Sequence, residues 1–418
     1  MSRLPTRVAM LSVHTCPLAA LGGKKTGGMN VYVRELSKEL GRRGVLVDVF
    51  TRSQDPCVPH VSDRELAPGV RVIHVPTGPE QPLSTKAIYP HLPEFVDGVR
   101  AFAADEGISY NLIHSHYWLS GAAALALRET WRVPVVQMFH TLGQMKNRIA
   151  QSDMERESEV RLAVEKQVID RADILVAATP AERIQLMWLY GADMGKIRVI
   201  PPGVDVEHFQ PLPREEAQSA IGMPGDHRML LFVGRIEPLK GLDTLMRAIA
   251  ILKRSMPELS TNLCVVIVGG AVDTDEHRQD AEISRLEQLG DELDLNDLVT
   301  FIGSRNQESL PYYYSAAEAV IMPSHYESFG MVALEAMACG TPVIASEVGG
   351  LAYLVQDGVT GFHVPDREPD ELAGKMCLLL SNPALRREMS AAATQHAQEY
   401  AWPLIADRIQ ALYRNCLN

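Results

Sequence analysis

Glu327 and Glu335 close the two ends of the stretch Glu-Ser-Phe-Gly-Met-Val-Ala-Leu-Glu, which runs on into Ala-Met-Ala-Cys-Gly-Thr-Pro-Val-Ile-Ala. Two carboxylates at this spacing, with a Ser328-Phe329-Gly330 turn and an apolar helical segment between them, can hold both ends of one extended polar ligand. Glu335 is suited to accept from sugar or ribose hydroxyls. Glu327 stands beside a glycine turn, where the N–H groups of a helix N-terminus can meet an anion. The competing reading is a helix cap followed by a solvated glutamate. Upstream, Phe232-Val233-Gly234-Arg235-Ile236-Glu237-Pro238-Leu239-Lys240-Gly241 follows an apolar strand and opens an amphipathic helix. Arg235 offers a planar fork and Lys240 a mobile point charge, and both suit a dianionic diphosphate. Two solvated surface cations are the alternative.

These residues need a scaffold that places loops at the ends of strands. Short apolar runs occur at residues 7–12, 45–50, 70–75, 112–114, 133–138, 174–178 and 197–200, with longer amphipathic segments between most of them. A loop with Gly22-Gly23 and Gly27-Gly28 follows the first run, and a helix is expected over 30–43. The segment Ile200-Pro201-Pro202-Gly203-Val204-Asp205 reads as a hinge, since two prolines stop the preceding element. A second alternating series has runs at 229–233, 264–268, 299–302, 319–322, 342–345 and 361–364. Alternation of this kind predicts an α/β protein of two doubly wound parallel sheets with a cleft between them. Such sheets bind ligands beyond the carboxyl ends of their strands, which is where the motifs above fall.

The chain has 418 residues, suited to two domains. Apolar residues make up 46% and charged residues 22%, an ordinary soluble mixture. A net charge of -12 argues against nucleic acid or an anionic membrane as a general partner, yet permits a local basic pocket. No apolar run has the length of a membrane span, and the first residues pass directly into a strand. The six cysteines lack metal-ligand spacing and read as reduced cytoplasmic thiols.

Two polar clusters follow apolar runs in the first half: His114-Ser115-His116-Tyr117-Trp118-Leu119-Ser120-Gly121, and Phe139-His140-Thr141-Leu142-Gly143-Gln144-Met145-Lys146-Asn147. Both point into one crevice. A structural role is the competing reading for any single histidine here, as a surface helix charge is for Arg161.

Gly234-Arg235 with Lys240-Gly241, followed by the Glu327 and Glu335 pair, resembles the donor half of family 4 retaining glycosyltransferases, which have the GT-B fold. The resemblance covers nearly the whole chain. It implies an acceptor-binding Rossmann-like domain over residues 1–203, a nucleotide-sugar domain over 204–395, and a C-terminal helix within 396–418 that crosses back to the first domain. It implies donor contacts from Gly28, Arg235, Lys240, Arg305, Glu327, Ser328, Phe329, Gly330 and Glu335. Chemistry would fall to His140, Arg235, Lys240 and Glu327, with His140 against the transferred sugar. The acceptor would meet Asn30, Lys86, Tyr117, Thr141, Lys146 and Arg161. No carboxylate is placed as the nucleophile that retaining hydrolases use. The resemblance implies instead front-face attack, with the leaving phosphate accepting the acceptor's proton. Neither cofactor nor metal is expected, and Asp273-Thr274-Asp275 is taken as a solvated charge run.

Two branches of the family fit, and both act on phosphorylated acceptors. Gly27-Gly28-Met29-Asn30, His114 to Gly121 and Glu157-Ser158-Glu159-Val160-Arg161 are similar to enzymes moving N-acetylglucosamine from UDP-N-acetylglucosamine to inositol phosphate. There the family lysine aligns with Thr85, and the ammonium here is one position later, at Lys86. His140 to Lys146 is similar to bacterial sucrose-phosphate synthases, which transfer glucose from UDP-glucose to fructose 6-phosphate. The sequence leans slightly to the second branch. A sugar-nucleotide epimerase or a non-catalytic nucleotide-sugar-binding protein are the readings outside transfer. Oligomeric state is open.

Overall fold

The computed structural model describes residues 6–19, 27–63, 65–150, 156–270 and 276–417, with the backbone alone for 276–281. Asp273 and Asp275, like Gly22 and Gly23, lie outside the described residues. Two compact units separate at Pro202/Gly203 and at Ala401/Trp402.

In the first unit the strands are β1 (Arg7–Leu11), β2 (Leu46–Arg52), β3 (Val61–Ser62), β4 (Val70–Val75), β5 (Leu112–His116), β6 (Val135–Met138), β7 (Ile174–Ala177) and β8 (Ile197–Val199). They lie in the order β3-β4-β2-β1-β5-β6-β7-β8. All neighbouring pairs are parallel except β3 with β4. Helices cover a sheet of this kind on both faces, so its central strands are continuous apolar runs rather than alternating ones. Val8, Ala9, Met10 and Leu11 are accordingly all fully buried. Two residues are too few to show a period, which is why β3 has no signature in the sequence.

The helix Gly28–Arg42 starts two residues earlier than the sequence pattern suggests. The C-terminal helix Trp402–Cys416 packs against it within the first unit, burying Trp402, Ile405, Ile409, Leu412 and Tyr413 along one face. Arg43 ties the two helices by donating to the Pro403 carbonyl at 2.6 Å and to Gln410 at 3.1 Å. Residues 396–401, expected with this helix, group with the second unit instead. The helix Pro383–Gln398 packs there against Met331–Ala338, and Val204 bridges Ala401.

The second unit contains β9 (Arg228–Val233), β10 (Leu263–Val268), β11 (Val299–Gly303), β12 (Ala319–Met322), β13 (Val343–Ser346) and β14 (Gly361–Val364). Their order is β11-β10-β9-β12-β13-β14, all parallel, the order of a dinucleotide-binding sheet. In each unit the chain direction across the sheet reverses once, between β1 and β5 in the first and between β9 and β12 in the second. Loops diverge at such a reversal and leave a crevice at the strand ends. Tyr117 follows β5, Arg235 follows β9 and Glu327 follows β12, so the sequence motifs stand at these two reversals. Among the described residues no helix is long and apolar enough to cross a membrane.

Candidate active site

The residues expected to meet the acceptor's phosphate gather in the first unit around one buried guanidinium. Arg161, on the helix Glu159–Arg171, is 1% exposed. Its Nε donates to Glu165 Oε1 at 2.7 Å, and one terminal nitrogen donates to the Tyr117 hydroxyl at 3.0 Å. The same nitrogen meets Glu157 Oε1 at 2.8 Å. The other reaches the Thr141 carbonyl at 3.0 Å and its hydroxyl at 3.1 Å. Lys146 Nζ lies 2.8 Å from the same Glu157 oxygen. Tyr117, Thr141, Lys146 and Arg161, which come from three separate stretches of sequence, are thus brought together. Burial alone would raise the Glu157 carboxyl, but Arg161, Lys146 and Lys86 hold it below the usual carboxylate range. Lys86, on the short helix Thr85–Ile88, therefore acts on this cluster despite its one-residue offset.

Local backbone geometry aims these groups. Tyr117 and His140 have φ of 75° and 60°, uncommon for residues with a side chain, and each lies just beyond a strand end. Strain of this kind costs on the order of 1–3 kcal/mol per residue and persists where the surroundings enforce it. Gly143 allows the closest approach: a Cβ there would fall 2.8 Å from Leu162 and 3.0 Å from Glu165. Its N–H instead donates to the Glu165 carboxylate at 3.0 Å.

His140 Nε2 sits 3.0 Å from His116 Nδ1, with the Tyr32 ring edge-on at 5.2 Å between centroids. Burial, with help from His114 and His14, pushes His140 down to about 3. The ring is neutral at ordinary pH and can exchange hydrogen bonds with a sugar hydroxyl without carrying charge. His114, also pushed down to about 3 by burial, bonds Tyr413 of the C-terminal helix at 2.7 Å. Gly28 opens its helix exposed to solvent. Asn30 is buried, and its amide is spent on Thr15 Oγ1 at 2.6 Å and the Cys16 carbonyl at 2.7 Å. Its visible work is to pin the loop after β1.

In the second unit Lys240 Nζ meets Glu327 Oε2 at 2.5 Å, which joins the two motifs found in the sequence. Gly241, with φ of 66°, makes this possible, because a Cβ there would stand 2.0 Å from the Pro323 carbonyl oxygen. His325 N–H donates to the Leu239 carbonyl at 2.9 Å and clasps the two loops. Arg235 is bonded to Glu237 at 2.7 Å, its side chain 52% exposed. Ser328, Phe329 and Gly330 lead into the helix Met331–Ala338, whose first N–H groups lack intrahelical partners by geometry. Phe329 is buried against Tyr400, the rings 6.0 Å apart. Glu335 is buried on that helix and accepts from the Tyr314 hydroxyl at 2.8 Å. Arg305 bonds Tyr313 at 3.1 Å and lines a hollow of about 610 Å³ with Tyr312, Asn306 and Ile221. No contact links it to Lys240 or Glu327 among the described residues.

The sequence reading missed Glu157 and Glu165 as partners of Arg161, His116 as the partner of His140, and Tyr413. Glu165 lies four residues after Arg161 on the same helix, the spacing at which side chains meet, and that signal was available; Glu157 lies just before the N-cap.

The chain is similar to known proteins along nearly its whole length. Residues 27–203 match the family described as "Glycosyl transferase 4-like domain", and residues 213–396 match "Glycosyl transferases group 1". A protein of Nocardiopsis dassonvillei named D-inositol 3-phosphate glycosyltransferase is 43% identical over 414 residues, covering 99% of this chain and 95% of its own. The chain belongs to the GT-B glycosyltransferases. A relative of the same name from Kineococcus radiotolerans is 44% identical, covering 98% of this chain and 95% of its own. Among solved structures, sucrose-phosphate synthase from Thermosynechococcus elongatus superposes with a TM-score of 0.89 at 36% identity, covering 98% of each chain. The GT-B chain is thus a nucleotide-sugar-dependent glycosyltransferase.

Proposed function

We propose that this glycosyltransferase moves N-acetylglucosamine from UDP-N-acetylglucosamine to an inositol phosphate, with retention of configuration, in the cytoplasm. The observation that carries the reading is the cluster of Arg161, Tyr117, Thr141 and Lys146, a compact cationic and hydroxyl-bearing site in an acidic protein. Lys86 answers the objection that the lysine of the inositol-phosphate branch is displaced by one position, since its charge acts on Glu157 in the same cluster. The relatives named D-inositol 3-phosphate glycosyltransferase favour this acceptor over fructose 6-phosphate, to which the sequence reading leaned. The sucrose-phosphate synthase superposition keeps fructose 6-phosphate as the second reading. Six free cysteines fit a reducing compartment.

On this reading Arg235, Lys240 and the N-terminus of the helix Met331–Ala338 stabilise charge on the departing diphosphate. Glu335 accepts from ribose hydroxyls. Neutral His140 holds a hydroxyl of the transferred sugar, and the leaving phosphate takes the acceptor's proton. The first unit holds the acceptor by its phosphate and so positions the attacking hydroxyl, a use of remote binding that raises turnover as well as affinity. Mass spectrometry of products decides it, with UDP-N-acetylglucosamine and UDP-glucose each set against inositol 3-phosphate and fructose 6-phosphate. An N-acetylglucosaminyl inositol phosphate is expected. Exclusive formation of sucrose 6-phosphate would replace this reading with the second.

A further inference from the structure

The two carboxylates on Arg161 differ in how firmly they are held. Glu165 is fully buried, accepts from the Gly143 N–H at 3.0 Å, and is bonded by the Tyr190 hydroxyl. It cannot leave without stranding three donors. Glu157 precedes the helix N-cap Ser158, and its side chain is 19% exposed. One oxygen, Oε1, bridges Lys146 Nζ and an Arg161 terminal nitrogen, each at 2.8 Å. An anion bridging a lysine and an arginine fork is the arrangement a phosphate oxygen adopts at such a site.

We infer that the Glu157 carboxylate is an internal stand-in for the acceptor's phosphate, and that it must swing to solvent before a phosphorylated acceptor docks on Lys146 and Arg161. The inference rests on the acceptor-phosphate reading above and adds a residue that sets how strong an anion the pocket admits. With Glu157 in place the cluster carries one net positive charge, and its two exchangeable cationic contacts are satisfied. With Glu157 withdrawn, Arg161, Lys146 and Lys86 face only Glu165, leaving two net positive charges, which matches a dianionic phosphate monoester. A neutral hydroxyl brings no charge to compensate the two cations and does not displace the carboxylate. Glu157 therefore tunes acceptor affinity rather than the chemical step.

The test is calorimetric titration of inorganic phosphate into full-length protein saturated with UDP, wild type against Glu157→Gln, which keeps the size of the side chain. KM and kcat for the phosphorylated acceptor are measured on the same two proteins. Removing the competing charge should tighten phosphate binding on the order of tenfold, the scale of one hydrogen bond to a charged group. KM should fall by a similar factor, with the effect in KM rather than kcat. Equal phosphate affinity in the two proteins would overturn the stand-in role and leave the phosphate pocket itself intact. Weaker binding in the variant would show that Glu157 holds Lys146 and Arg161 in place. Absence of phosphate binding in both proteins would remove this inference together with the acceptor-phosphate reading.

Discussion

Each unit carries an arginine that the proposed function assigns to a phosphate, and the two are set in opposite ways. Arg161 is buried, and every one of its donors meets a partner, among them two carboxylates, a hydroxyl and the Thr141 side chain and carbonyl. Arg235 stands half in solvent and, among the described residues, is paired with Glu237. A buried, fully bonded guanidinium is part of the fold as well as of the site. Removing it leaves Glu165 uncompensated in the interior, a loss of about 3–5 kcal/mol in comparable cases. An exposed ion pair contributes about 0–1 kcal/mol, so Arg235 is free to exchange Glu237 for a ligand. The first unit is organised around its buried cation, while in the second Lys240 is paired with Glu327 and Arg235 stands half in solvent.

The largest effect should come from breaking the buried side of this contrast. Arg161→Ala should lower the melting temperature clearly, by a thermal scan, and remove most transfer to the phosphorylated acceptor. Lys240→Ala and Arg235→Ala should each lower turnover by on the order of a hundredfold or more, the typical loss for one charge-stabilising donor. The melting temperature of Arg235→Ala should stay close to wild type, since that ion pair is exposed. Wild-type kinetics in either, with the fold intact by circular dichroism, would remove that residue from the donor site. Glu335→Gln should weaken UDP binding by about 1.5–3 kcal/mol in calorimetry, the scale of a hydrogen bond to a charged group.

A smaller effect separates the units by pH. Burial depresses His114, His116 and His140 well below an unfolded histidine at about 6.5. The unfolded chain therefore takes up protons that the folded one refuses. Their contribution to stability is intact above pH 6.5 and is lost as pH falls from there toward 3. Melting temperature should drop on acidification from pH 7 to 5, and the slope should be shallower in His114→Asn. For the same reason no inflection from His140 is expected in kcat between pH 5 and 8. The smallest effect is for EDTA, which should leave activity unchanged if, as proposed, Arg235 and Lys240 supply the charge at the diphosphate. Loss of activity restored by manganese would assign that role to a metal instead.

The same contrast explains what could be read from the sequence. The strands were legible because buried parallel strands are apolar runs bounded by turn residues, and most observed ends fall within two residues of the expected ones. The donor half was legible because each motif is local: Gly234 to Gly241 and Glu327 to Glu335 are each one loop and the start of one helix. Their contact through Gly241 and Pro323 depends on two loops meeting at a sheet reversal, which no single stretch encodes. In the acceptor half the cationic residues were named through family resemblance. The carboxylates that hold Arg161 have no distinct signature, because opposite charges four residues apart look like any solvated face until one of them is buried. Asn30, which the resemblance implies as an acceptor contact, bonds through its amide to the loop after β1.

The proposed role of Arg161 is to read the acceptor's phosphate. It is tested most directly by kcat/KM for wild type and Arg161→Lys, each with inositol 3-phosphate and with unphosphorylated inositol, at saturating UDP-N-acetylglucosamine. The lysine keeps the charge but loses the fork that meets Glu165, Tyr117 and Thr141 at once. The account predicts a loss of at least tenfold with inositol 3-phosphate and almost none with inositol, which should be a poor substrate of both proteins. An equal loss with the two acceptors would contradict the claim and leave Arg161 as a structural residue.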